Sequence, residues 1–219
     1  IDAEIHSKVE TALIVKRGQK RIRHSNIYQS GMIELQDASS QMTVCALPHN
    51  LSGPFLDYCA GGGGKALALA AKFKTKIIAH DAVNRRMVDI ASRSSRAGAE
   101  IEIVSTNNLK NRDFGLVLAD TPCSGSGTWR RDPAGKWLLT KTALMNLVQT
   151  QKDIIKRSSQ FVRDGGILAY VTCSVLKSEN CDQIDAFLSS NKNWTVQDYN
   201  QLYPSDCGDG FYYCYLRKK

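Results

Sequence analysis

From Pro54 onward, short apolar runs alternate with longer stretches whose apolar residues recur at helical spacing. "PFLDYC", "KIIAHD", "IEIV", "FGLVLAD" and "GGILAYVTC" are brief and mostly lack polar alternation, which predicts strands buried on both faces. Between them, "GKALALAAKF", "NRRMVDIASRSSRAG" and "KTALMNLVQTQKDIIKRSSQFVRDG" predict helices, the last two ending near a glycine. A further helix is predicted over about Ser178 to Ser190. Strands near Trp194 to Asp198 and Phe211 to Leu216 follow, as a hairpin at one sheet edge. The alternation implies an α/β fold: a Rossmann-like, doubly wound, mostly parallel sheet of seven strands with helices on both faces.

Residues 1–31 differ. Lys8, Lys16, Arg17, Lys20, Arg21 and Arg23 outnumber Asp2, Glu4 and Glu10, and "IVKRGQKRIRHSNIYQSG" reads as extended strands around a glycine turn. The chain is therefore divided into a basic N-terminal segment, 1–31, and a main α/β domain, 32–219. The first segment reads either as the remnant of an RNA-binding module or as a solvated edge. The chain opens on Ile1 rather than Met, so a processed or partial sequence is expected.

Composition narrows the class. At 219 residues, with 42% hydrophobic and 23% charged residues, the chain suits one large globular domain. No apolar run approaches the roughly 20 residues that cross a bilayer, and no signal-peptide pattern opens the chain. The expectation is a cytoplasmic, monomeric protein without a membrane partner. The net charge of +8 points to an anionic partner such as nucleic acid, the plain alternative being a basic solvated surface. Seven cysteines form no CxxC pair, so free thiols and no metal are expected.

In such a sheet, ligands bind beyond the carboxyl ends of the strands, where strand order reverses. "DYCAGGGGKALALA" places four glycines between a strand and a helix, which lets backbone approach a ligand near free helical N–H groups. It is not a phosphate-binding P-loop, because Cys59 and Ala66 stand where glycine and Ser or Thr are required. A dinucleotide GxGxxG is not matched either. Asp81 closes the next strand, placed either to accept from a ribose or to cap the following helix. "LADTPCSGSGTWRRDP" ends a core strand on Asp120 and offers Cys123 among small residues and arginines; "YVTCSVLKSEN" offers Cys173 at another strand end.

Together these motifs resemble the Sun/Fmu (RsmB-like) family of S-adenosylmethionine-dependent RNA cytosine-5 methyltransferases. The likeness is carried by "DYCAGGGGK", by Asp81 with Arg86, by "DTPCSGSG", and by "TCS" followed by "EN". It extends to "LQDASSQ", "RRDPAGKW" and "DGFYYCYLRK", and so covers almost the whole chain from about Gly31. The resemblance implies a class I methyltransferase fold with S-adenosyl-L-methionine as cofactor, and makes 32–219 a methyltransferase catalytic domain. It puts Cys59, Ala60, Gly61, Gly62, Gly63, Gly64 and Lys65 around the methionine part, with Asp81 and Arg86 toward the ribose, Asn107 at the adenine, and Asp120 between cofactor and base. Cys173 is then the thiol that attacks carbon 6 of the cytosine, Cys123 assists release, Asp120 contacts the base, and Lys65 lowers a thiol pKa.

Gly62 stands where the family usually has proline and Asn107 where it has an acid, so weaker cofactor binding is expected. These departures keep a second reading open, a non-catalytic or weakly active RNA-binding member of the same fold. The partner is RNA, ribosomal in preference to transfer RNA. Arg130, Arg131 and Lys136 are candidates for phosphate contacts, and Trp129 or Trp137 either stacks on a base or anchors the loop. Cys45, Cys181, Cys207 and Cys214 are read as small buried hydrophobes.

Overall fold

The computed structural model describes residues 1–205 and 208–219; Cys207 lies outside the described residues. Two short strands, β1 (Asp2–Ile5) and β2 (Leu13–Arg17), pair antiparallel as a sheet of their own. A 3₁₀ turn (Gln19–His24) and the short helix α1 (Asn26–Gln29) lead to α2 (Ala38–Cys45). The remaining elements are β3 (Phe55–Asp57), α3 (Gly64–Phe73), β4 (Ile77–Ala79), α4 (Ile90–Ala97), β5 (Ile101–Ile103), β6 (Phe114–Asp120), α5 (Pro133–Leu138), α6 (Lys141–Ser159), β7 (Val162–Thr172), α7 (Cys181–Ser190), β8 (Trp194–Leu202) and β9 (Phe211–Lys218).

The main sheet has seven strands in the order β5-β4-β3-β6-β7-β9-β8. β3 to β7 are parallel, and β9 runs antiparallel between β7 and β8. The chain winds outward from β3 to β5, then returns to β6 beside β3. The crevice at the carboxyl ends of β3 and β6 is therefore the switch point at which such sheets bind ligands.

Each strand alternates sides, and the two sets pack separate layers. Leu56, Val117, Leu168, Tyr170 and Leu216 face Ile155 of α6 and Ile184 and Phe187 of α7. Phe55, Leu116, Leu118, Ala169 and Tyr215 face Val44 of α2 and Leu69 of α3. Each fully buried large side chain contributes roughly 1.5–3 kcal/mol, so the buried central strands hold the sheet edge rigid. A charge at Leu118, fully buried in the middle of β6, would break that layer.

Several predicted boundaries shift. The last long helix stops at Ser159 instead of running toward Gly165, because Val162 already belongs to β7 and is buried in the core. Gly165, at φ +73°, sits inside β7 where its register with β6 shifts, so this glycine bends a strand rather than ending a helix. The stretch after Asp81 splits into a 3₁₀ turn (Asn84–Met87) and α4, which does end at a left-handed Gly98. The segment beyond Gly18 is a 3₁₀ turn rather than a strand; the turn buries Ile22, and β2 finds its partner upstream in β1. The helix predicted from Ser178 begins at Cys181, after a 3₁₀ turn over Lys177–Glu179. Cys214 is buried, Cys181 is half-buried, and Cys45 is exposed at the end of α2, against the expectation of a buried residue.

Candidate active site

Three acids close three neighbouring strands at the switch point. Asp57 ends β3, Asp81 follows β4, and Asp120 ends β6. Asp81 is tied into the glycine loop: Oδ2 accepts from the Gly61 N–H at 3.0 Å and pairs with Arg86 at 3.2 Å, and Oδ1 accepts from the Val83 N–H at 2.9 Å. A carboxylate oxygen accepts two hydrogen bonds, so Oδ1 keeps a lone pair for an incoming hydroxyl. Gly61 (φ +49°) and Gly63 (φ +80°) are left-handed, and a Cβ on Gly63 would lie 2.8 Å from Ile90. Residues 59–65 thereby form one tight turn into α3. Cys59 is half-buried in it, its thiol pushed well up by burial and by the charges of Asp57, Asp120 and Asp81, so it is a neutral thiol.

Asp57 lies fully buried among these groups, and neither carboxylate oxygen accepts a hydrogen bond of good geometry. Burial, then repulsion from Asp120, pushes its carboxyl up to about 7, against the pull of Lys65. Its signal was the same as that of Asp81 and Asp120, an acid ending an apolar run, but the glycines beside it drew the sequence reading away. Asn107 is exposed on a 3₁₀ turn after β5. Between that side and the Asp81 turn opens a shallow cavity of about 310 Å³, lined by Asn84, Met87, Val88, Ile103, Val104 and Ser105.

The two thiols meet. Cys123 Sγ and Cys173 Sγ lie 3.3 Å apart, on the loops that follow the adjacent strands β6 and β7. The hydrogen bond shared with Cys123, then the positive charge of Lys65, hold the Cys173 thiol below its ordinary range in spite of burial and Asp120. The same bond, then burial, pushes Cys123 well up. Lys65 donates to Asp120 Oδ2 at 2.7 Å and lies 5.1 Å from the centre of the Phe211 ring.

Beneath the thiols lies Glu179, fully buried. It accepts from the Ser124 N–H at 2.8 Å, Ser124 Oγ at 2.5 Å, Ser174 Oγ at 2.5 Å and Gln151 Nε2 at 3.0 Å. Ser124 and Ser174 each directly follow one of the cysteines, so a single carboxylate fixes both thiol loops. "EN" marked the family pattern in the sequence, but this role was invisible there.

The arginines beyond Cys123 are already engaged. Arg131 Nε donates to the buried Asp209 at 2.8 Å, and Arg130 lies 3.0 Å from Asp209 and 3.7 Å from Asp37. Trp129 is half-buried against the loop, and its indole N–H has no hydrogen-bond partner among the described residues. Lys136 stands 5.6 Å from the ring of Trp137, which is 82% exposed. Among the described residues, no group of three or more His, Cys, Asp or Glu side chains is arranged to hold a metal ion, and no helix is long and apolar enough to cross a membrane.

The arrangement is that of a class I methyltransferase: a 3-2-1-4-5-7-6 sheet in the order of its own strands, with acids and a glycine turn at the switch point. Solved methyltransferases share it. The NSun6 structure from Pyrococcus horikoshii with SFG superposes with a TM-score of 0.78 at 21% identity, over 90% of this chain and 56% of that one. A methyltransferase homolog from the same organism gives 0.81 at 24% identity, over 94% and 75%. The family model described as 16S rRNA methyltransferase RsmB/F matches residues 44–217, and the chain belongs to that family. The ribosomal RNA small subunit methyltransferase B of Proteus mirabilis is 32% identical over 200 residues, covering 88% of this chain and 47% of that protein. That of Enterobacter sp. is 31% identical over 207 residues. The chain thus spans about half the length of the curated relatives it matches.

The family is S-adenosylmethionine-dependent, and the residues fit that cofactor. Its ammonium and sulfonium charges suit the edge where Asp57, Asp81 and Asp120 come together, and the Asp57 carboxylate, which takes no hydrogen bond of good geometry among the described residues, leaves acceptor capacity there.

Proposed function

We propose that this chain transfers a methyl group from S-adenosyl-L-methionine to carbon 5 of a cytosine in RNA, ribosomal RNA of the small subunit being the first candidate and transfer RNA the second. The observation that carries the reading is the 3.3 Å apposition of Cys173 and Cys123, next to the Lys65–Asp120 pair. The cofactor supplies an electrophilic methyl group. Everything else falls to the chain's own residues.

Carbon 5 of cytosine is a weak nucleophile. The Cys173 thiolate adds to carbon 6, and the displaced electron pair makes carbon 5 nucleophilic. Asp120, held by Lys65 through one oxygen, offers the other as acceptor to the exocyclic amino group and so orients the base, while ring nitrogen 3 takes a proton from water as charge develops there and returns it when the thiolate leaves. Carbon 5 would take the methyl group that a bound cofactor supplies, the sulfonium's charge being neutralised as the carbon–sulfur bond breaks. Loss of the carbon 5 proton to water reforms the ring double bond and expels the Cys173 thiolate. The hydrogen bond that makes Cys173 acidic also stabilises it as a leaving group, which gives Cys123 its part in release.

The target base must be flipped out or single-stranded to reach this buried pair. Trp137 and Lys136 are exposed groups later in the same chain stretch, offered for stacking and phosphate contact, while Arg130 and Arg131 contact phosphates through the donor edges that Asp209 leaves free. In this reading residues 1–31 add positive charge for RNA, and the shallow cavity beside Asp81 takes the adenine near Asn107.

The test uses labelled cofactor and small-subunit ribosomal RNA. Cys173→Ala is expected to abolish methyl transfer, and Cys123→Ala to leave a protein–RNA adduct that survives denaturing electrophoresis. The opposite pairing of results reverses the two roles. Absence of transfer by the unsubstituted chain on any RNA favours the non-catalytic reading.

A further inference from the structure

The glycine loop has no side chain of its own between Gly61 and Gly64. Four consecutive glycines carry the largest conformational entropy of any such run, so something outside the loop must hold it. The Gly61 N–H is taken by Asp81 and the Gly63 N–H by the Ala60 carbonyl at 2.8 Å. The central Gly62 peptide is anchored through its carbonyl, which accepts from Arg93 Nη1 of α4.

Arg93 is itself held. Its Nε lies 3.5 Å from Glu34 Oε2, and the same oxygen accepts from Arg96 Nη2 at 2.5 Å. Arg96 in turn donates to the Tyr28 carbonyl at 3.1 Å and stacks on the Tyr28 ring at 3.9 Å. A chain of contacts thus runs Tyr28–Arg96–Glu34–Arg93–Gly62, from the N-terminal segment to the middle of the loop. The Arg93 guanidinium lies along the loop: a Cβ on Gly62 would stand 3.3 Å from Nη1, and one on Gly64 3.9 Å from Nη2.

We propose that Arg93, oriented by Glu34, is a positioning residue for the cofactor site, supplying from α4 the rigidity that the four glycines lack. The inference rests on reading this loop as the cofactor site. Gly62 lies outside the left-handed region and, among the described residues, its N–H makes no hydrogen bond of good geometry, so a proline there tests whether stiffness from within replaces the brace.

Arg93→Ala is expected to weaken S-adenosylmethionine binding roughly tenfold by calorimetry, about 1.4 kcal/mol. In the ligand-free protein the same change should speed amide exchange at residues 61–64. Adding Gly62→Pro to Arg93→Ala should recover most of the affinity, and Arg93→Lys should fall between, keeping one donor without the fork. An affinity within twofold of the parent overturns the proposal, as does a loss that Gly62→Pro fails to recover. If the unsubstituted chain binds no cofactor, the reading of the loop falls; unchanged exchange in ligand-free Arg93→Ala separately shows that Arg93 does not hold it.

Discussion

On the β6–β7 side of the candidate site, the polar groups around Glu179 are satisfied within the protein, Gln151 Oε1 being the exception among the described residues. Glu179 takes four hydrogen bonds, Ser126 Oγ lies 2.9 Å from Ser174 Oγ, and Asn180 accepts from Thr172 and donates to the Ser174 carbonyl. On the β3–β4 side, Asp57 is equally buried and has no hydrogen bond of good geometry, and the loop above it is braced from a neighbouring helix. Under the proposed reaction, the difference separates two tasks. Groups that do covalent chemistry must be fixed before substrate arrives, because a loose thiol loses the benefit of proximity. Groups that hold a charged cofactor can be left unsatisfied, because the ligand completes them.

The contrast can be broken most severely at Glu179. Glu179→Ala leaves the Ser124 N–H, the Ser124 and Ser174 hydroxyls and one of the two Gln151 amide hydrogens without their acceptor in the core, Gln151 keeping its bond to the Pro122 carbonyl, at a cost of roughly 3–5 kcal/mol. A melting temperature lower by roughly 10 °C is expected by scanning calorimetry; a drop of only about 2 °C would show that the network is dispensable. Asp57→Asn should act in the opposite direction. A carboxyl raised from 3.8 to about 7 on folding stabilises the protein fully below about pH 3.8, and this is lost as pH rises through 7. The loss is at most about 4 kcal/mol. The asparagine variant should therefore melt higher than the parent at pH 8, flatten the fall in stability between pH 4 and 7, and bind cofactor more weakly. Equal melting at pH 8 would mean that Asp57 is not strained by its charge.

The smallest of these effects belongs to Lys65, which joins the two sides. Lys65→Met removes a positive charge near Cys173, but the hydrogen bond shared with Cys123 is the larger cause of that thiol's acidity. Alkylation of Cys173 by iodoacetamide should slow several-fold at neutral pH, with its pH profile displaced upward, and Cys123→Ala should displace it further. An unchanged profile in Lys65→Met would assign the acidity of Cys173 to its neighbouring thiol alone.

The sheet was legible because short continuous apolar runs and strand-to-helix alternation are written locally: "FGLVLAD" is β6 residue for residue. The helix α2 was not, since "ASSQMTVC" shows little helical patterning and its start depends on Asp37 capping the Ser39 N–H at 2.9 Å. In the site, cysteines and acids at strand ends could be singled out because residue type and position coincide. Arg93, on the exposed side of an ordinary amphipathic helix, carried no such mark; its importance follows from a contact 31 residues away in sequence. The departure at Gly62, readable as lost stiffness, has its counterpart in that contact. Arg130 and Arg131 taught the reverse, since a pair of arginines in a loop does not disclose the buried Asp209 behind it.

The reversed direction of β9 swaps which end of a strand serves the reaction. Five parallel strands deliver their last residues to the catalytic edge, whereas β9 delivers its first: Phe211 lies under Lys65, and Asp209 just before it anchors the arginine loop. The far end of β9 is fastened at the opposite rim, where Arg217 donates to the Gly165 carbonyl and Lys218 to the Val162 carbonyl. One inverted strand thus works as a tie rod, pulling the aromatic floor of the site against a rim that takes no part in the chemistry.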